Sequence, residues 1–143
     1  MPTWLKVILI IVAIFIALLV GAGFIGYQWI ESHKGEIEAS AKAVRADATQ
    51  FSQGKDAEAC IAEALNRVDR CDGIMCEVKT KLFLDICTEK TGVPAQVCAT
   101  IPKRTDFIDS AKWALAECAR RGRANDQRCT RLVPVLQERC YGK

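Results

Sequence analysis

The sequence predicts an all-α protein: an N-terminal transmembrane helix, a helical stalk, then a small disulfide-stapled domain of two helical hairpins. Three observations predict it. Val7–Ile25 is an apolar run without a charge. All eight cysteines lie after residue 59. Four of them, Cys60, Cys71, Cys76 and Cys87, follow one another at intervals of eleven, five and eleven. Eleven residues at ~3.6 per turn return a helix to nearly the same face.

The first segment, residues 1–30, reads as a signal-anchor helix. Its apolar run is long enough to cross a bilayer. Trp4 precedes it and Tyr27 and Trp29 follow it, which suits two membrane interfaces. Lys6 and the amino terminus lie on one side; Glu31, Glu36 and Glu38 lie on the other. This bias favours a cytoplasmic N-terminus and a periplasmic or extracellular C-terminal domain on a cell (inner) membrane. The rival is a signal peptide cleaved near Val20-Gly21-Ala22, but the apolar run continues past that point. Ala13, Ala17 and Gly21 recur every four residues, a spacing that lets membrane helices approach closely.

Residues 31–55 read as a helical stalk. Ile37, Ala41, Val44, Ala48 and Phe51 are spaced four, three, four, three. Such a seam serves either a homodimer or packing on the chain's own domain, and two short heptads with alanine favour the second. Gly54 then ends the helix and Asp56 caps the next.

The domain, 56–143, divides into hairpins over 56–91 and 105–141. In the first, Ala57, Cys60, Ile61, Ala64, Leu65, Val68 and Cys71 form one apolar stripe. Asp72-Gly73 marks the turn. Met75, Cys76, Val78, Leu82, Phe83, Ile86 and Cys87 are expected inward on the return helix. Facing residues of an antiparallel hairpin share one index sum, and Cys71 with Cys76 has the same sum as Cys60 with Cys87. Bonding Cys60 to Cys71 along one helix would need to bridge about 16 Å, far beyond a disulfide. The reading is therefore Cys60–Cys87 and Cys71–Cys76.

In the second half, Pro94–Ile101 reads as a short helix carrying Cys98. A helix over Asp106–Arg121 follows, with Phe107, Ile108, Ala111, Leu115 and Cys118 as its apolar stripe. Asn125 caps a last helix, Asp126–Cys140, which Pro134 should kink or break. Cys118 and Cys129 flank a turn, but that register sets Cys140 opposite Phe107. Cys118–Cys129 with Cys98–Cys140 is the favoured pairing of these four, and other connectivities stay open.

Charge is uneven. Residues 31–100 carry 9 Lys/Arg and 12 Asp/Glu, while residues 101–143 carry 10 and 5. Arg120, Arg121, Arg123, Arg128 and Arg131 gather near the second turn, a candidate contact for lipid phosphates or an acidic protein surface. A solvated charged turn is the plainer alternative. Nucleic acid is not expected as a partner of an exported domain.

The cysteines fit an oxidising compartment. There is no C-x-x-C pair, and the only histidine, His33, lies beside the apolar run. No metal site or other cofactor is expected. Histidine triads, a P-loop, G-x-G-x-x-G and G-x-S-x-G are missing from the sequence. A redox role for Cys71-x4-Cys76 lacks the usual dithiol spacing.

The Cys60-x10-Cys71 and Cys76-x10-Cys87 arms resemble, in design, the twin C-x9-C proteins, which form helical hairpins with two disulfides. The arms here are one residue longer, and the resemblance covers about 30 residues. It implies a stapled hairpin and no particular activity. Saposin-like and plant lipid-transfer proteins are also helical and disulfide-rich, but the Cys-Cys and C-x-C of the latter do not occur here.

The expectation is a non-catalytic, single-pass membrane protein that scaffolds, adapts or assists an envelope complex. Its partners would be the bilayer and another protein, with a homodimer through the membrane helix and stalk as a further option. The alternatives are a binder of lipid or another apolar ligand and, more remotely, a thiol–disulfide protein.

Overall fold

A computed structural model describes residues 3–142. Met1, with its amino-terminal charge, Pro2 and Lys143 lie outside the described residues. The chain is all-helical, and among the described residues no strand forms. Helix α1 spans Thr3–Phe51, α2 Ala57–Asp69, α3 Ile74–Thr91 and α4 Ala95–Cys98. Then come α5 Phe107–Arg120, α6 Gln127–Leu132 and α7 Pro134–Tyr141. Two compact units divide after Ser40.

The first unit holds the apolar run. Its side chains from Val7 to Ile25 are exposed within the chain, and the helix is long and apolar enough to cross a membrane. Ala13, Ala17 and Gly21 lie on this uncovered helix.

The second unit begins at Ala41, so the stalk seam does not act as one piece. Val44 and Phe51 pack against the domain core, and Ala48 is fully buried in it. The alanine that makes a weak dimer seam is thus part of the domain's own core. Ser52–Lys55 reverses the chain through Gly54 at φ 66°, a conformation glycine adopts without a Cβ clash. The Asp56 carboxylate then accepts from the Ala59 amide at 2.8 Å and caps α2.

The predicted α2 stripe is buried in full, from Ala57 to Cys71. Helix α3 differs from expectation. Its buried face is Thr80, Phe83, Leu84, Ile86, Cys87 and Thr88, while Met75 and Val78 are exposed. Thr88 tolerates burial because its hydroxyl donates to the Leu84 carbonyl at 2.7 Å. Cys76, Thr80, Phe83, Leu84 and Cys87 follow the i, i+3/i+4 spacing of one face toward α2, and Met75 and Val78 lie off that face.

All four pairings match the favoured reading. Cα separations are 5.8 Å for Cys60–Cys87, 5.3 Å for Cys71–Cys76, 5.4 Å for Cys98–Cys140 and 6.0 Å for Cys118–Cys129. The bonds are nested: Cys71–Cys76 lies inside the ring closed by Cys60–Cys87, and Cys118–Cys129 inside that closed by Cys98–Cys140. No disulfide joins the first hairpin to the second half. Packing, ion pairs and arginine–carbonyl hydrogen bonds hold those halves together.

The last helix breaks at Pro134, as expected, into α6 and α7. Its cap is corrected. Asn125 occupies the left-handed region at φ 63°, and the Asp126 carboxylate instead accepts from the Arg128 and Cys129 amides. Leu132, Val133, Val135 and Leu136 continue the core. Buried Gln137 donates to the Pro102 carbonyl at 3.0 Å and to the Ser110 hydroxyl at 2.9 Å, tying α7 to α5.

Helix α5 carries the largest correction. Phe107 and Ile108 are 82% and 72% exposed, and Ala111 and Leu115 are also exposed. Only Ala114 and Cys118 are buried. The apolar stripe exists, but α5 turns an adjacent edge toward α6 and leaves the stripe uncovered.

Candidate functional site

Five features of the second unit bear on function: the cysteines, the arginine cluster, an apolar cleft, the α5 stripe and the first hairpin's tip. All eight cysteines are bonded. Cys60, Cys87, Cys118 and Cys129 have no exposed surface. Cys71, at the edge of the tip, is buried beside Thr80. Its partner Cys76, the other member of the pair singled out for a redox role, is bonded to it and partly exposed.

Each of the five arginines singled out by sequence finds a carboxylate. Arg120 pairs with Glu117 at 2.8 Å. Arg121, with only 9% of its side chain exposed, bonds Glu117 at 2.8 Å and both Glu58 oxygens at 2.6 and 2.9 Å. Arg123 bonds Asp69 and Asp126. Arg131 reaches Glu77 at 3.2 Å. Arg128 lies 3.9 Å from Glu77 and donates to the last carbonyls of α2, Val68 at 3.1 Å and Asp69 at 3.3 Å, where the helix dipole favours a cation.

Glu58, Asp69 and Glu77 belong to the first hairpin, so Arg121, Arg123, Arg128 and Arg131 cross between the halves, while Arg120 pairs within α5. Arg139 extends the pattern to Asp85 at 2.8 Å and Glu89 at 3.1 Å. Arg131–Glu77 and Arg139–Asp85 share an offset of 54 residues, so the α6–α7 segment runs parallel to α3. The basic C-terminal third thus clamps the acidic segment before it. The charge asymmetry signalled this surface, but it could not name partners more than 50 residues away.

The clamp leaves an electrostatic signature. Arg123 hydrogen-bonds Asp69 and holds its carboxyl below the usual range. Bonds from Arg120 and Arg121 lower Glu117 in spite of its partial burial. Burial raises Asp126, but Arg123 and two backbone amides outweigh it and the net shift is downward. A carboxylate with a depressed folded pKa stabilises the fold above its unfolded pKa and loses that contribution as pH falls through the folded value. The melting temperature should therefore hold steady from neutral pH to about 5 and drop below about 4. Arg123→Ala should blunt that acid limb by removing the shared partner of Asp69 and Asp126. An unchanged acid limb in a folded variant would contradict the assignment, and thermal melts monitored by circular dichroism from neutral to acid pH would show it.

The cleft lies between α2, α4 and α5. Ile61, Ile101 and Leu136 form its floor; Val93, Pro94, Val97 and Trp113 wall it; Glu58, Glu117, Arg120 and Arg121 stand at one rim. Its volume is about 460 Å3, within the ~300–1,000 Å3 span of small-molecule sites. The sequence reading missed this site. The signal was the Thr91-Gly92-Val93-Pro94 stop, which swings α4 away from α3 and opens the space.

At the first tip Ile74, Met75 and Val78 are exposed. Among the described residues, no cluster of three His, Cys, Asp or Glu side chains has metal-binding geometry. In comparisons with known proteins, the chain matches no family model, no curated protein and no solved structure.

Proposed function

We propose that this chain is a non-catalytic, single-pass membrane protein whose stapled helical domain works outside the cytoplasm as an adaptor or accessory subunit of an envelope complex. The uncovered α5 stripe carries the interaction half of the reading. A folded domain that leaves Phe107, Ile108, Ala111 and Leu115 in water offers an apolar helix face for another protein's helix. The apolar N-terminal helix and the fully bonded cysteines support the location.

A second reading rests on the cleft: its apolar floor and the Trp113 wall suit a lipid or another apolar ligand. One experiment separates the two. The full chain is extracted in mild detergent and weighed by native mass spectrometry beside Phe107→Ser/Ile108→Ser. The leading reading expects a stoichiometric protein partner with the parent chain and its loss from the variant, with the variant's melting temperature unchanged. A chain that emerges alone but carries lipid would support the cleft reading instead. Robust turnover by the purified chain would sink both.

A further inference from the structure

The tip of the first hairpin has a composition that neither the core nor the arginine clamp explains. Ile74, Met75 and Val78 are 80%, 58% and 54% exposed on the first two turns of α3. A hollow lies on each side of them. Lys81, Arg128 and Arg131 line one hollow, and Glu77 is its only carboxylate. Arg70 and Lys79 line the other beside Cys76 and Val44, with no carboxylate in the lining. Asp69 at this end is already held by Arg123, which leaves Asp72 in the turn itself. Cations therefore exceed free acids around an apolar knob.

The knob's place in the unit matters too. Val44 lies close to Ala41, where the second unit begins, and it lines the same hollow as Cys76. The tip thus lies at the end where the chain enters the domain. Only residues 31–40 separate that entry from the segment read as the membrane anchor, residues 1–30. Ten residues reach at most about 35 Å in any conformation.

We propose that this tip docks on the surface of an anionic bilayer. Ile74, Met75 and Val78 enter the boundary between headgroups and acyl chains, and Arg70, Lys79 and Lys81, which the clamp does not use, meet the lipid phosphates. Apolar side chains flanked by Lys and Arg bind such surfaces by burial and charge together. The tether keeps the tip at high local concentration near them. This inference rests on the membrane-anchor reading.

The test uses the full chain reconstituted into vesicles of phosphatidylcholine, with or without one third phosphatidylglycerol. A photoreactive benzoylphenylalanine replaces Met75, or Leu115 as the comparison. Labelling of lipid from position 75 should be strong in the anionic vesicles and weak from position 115. It should fall about a hundredfold in Arg70→Gln/Lys79→Gln/Lys81→Gln, from the loss of three cations near the surface. A thiol count of zero shows that each variant has kept its staples. Carbonate extraction of the same vesicles reads the anchor separately. A chain that stays in the membrane but labels no lipid from position 75 overturns the docking alone. A chain released by carbonate overturns the anchor and the docking with it. Labelling of a protein rather than lipid from position 75 in native membranes also overturns the docking.

Discussion

Phe83→Ala is expected to cost about 3–5 kcal/mol of unfolding free energy. Phe83 is 1% exposed and meets Phe51 edge to face at a centroid distance of 5.6 Å. The Arg67 guanidinium lies 3.8 Å over its ring, and Arg67 in turn bonds Asp47 and Glu63. The ring joins the end of α1 to the first hairpin, so truncation leaves a cavity and strands a cation that had an aromatic face. Urea unfolding of the full chain in mild detergent measures it. Phe107→Ala is the control: the same chemical change on an uncovered face should stay within about 0.5 kcal/mol. Equal losses from the two substitutions would contradict the assigned burial.

The second large effect distinguishes two bonds of one hairpin. Cys60 and Cys87 are 27 residues apart in sequence, Cys71 and Cys76 only 5. If a disulfide acts mainly by restricting the unfolded chain, removing the longer closure costs about 3–4 kcal/mol and the shorter about 2. The pair Cys60→Ala/Cys87→Ala should therefore unfold at clearly lower urea than Cys71→Ala/Cys76→Ala. Packing acts in the same direction, since Cys60 and Cys87 are fully buried while Cys76 is partly exposed. The reverse order would contradict the account of the nested rings.

The fold was legible where one residue type constrains both period and partner. Cys60, Cys71, Cys76 and Cys87 each mark a helix face and a bonding distance, so four residues specify a hairpin and its register. The α2 stripe was equally plain, because every position from Ala57 to Cys71 obeys one period. The α5 stripe obeys a period just as well, yet Phe107, Ile108, Ala111 and Leu115 remain uncovered. Periodicity reports which face is apolar; whether another element covers it depends on tertiary packing. Met75 and Val78 were misplaced by face: Cys76, Thr80, Phe83, Leu84 and Cys87 form the stripe toward α2, and Met75 and Val78 lie off it. Thr80 and Thr88 were missed for the opposite reason. They read as polar, but Thr88 satisfies its hydroxyl on its own helix and loses little by burial.

The candidate site was less legible than the fold. Arg120, Arg121, Arg123, Arg128 and Arg131 stood out as a cluster, and their basic excess was real. Glu117 and Asp126 are local partners, but the distant ones, Glu58, Asp69 and Glu77, lie far back in the chain and carried no mark in sequence. Met75 and Val78 were expected in the core, so their juxtaposition with Ile74, Lys79 and Lys81 emerged only with the two hollows in place. The cleft between α2, α4 and α5 depends on where α4 swings after Pro94, a tertiary choice that local pattern does not specify.

The most direct test of the nested, clamped architecture is disulfide mapping of the full chain, purified without reductant from its natural source, by mass spectrometry of unreduced peptides. The account predicts Cys60–Cys87, Cys71–Cys76, Cys98–Cys140 and Cys118–Cys129, with no free thiol. A bond joining any of the first four cysteines to any of the last four, or thiols left free throughout the population, would contradict it.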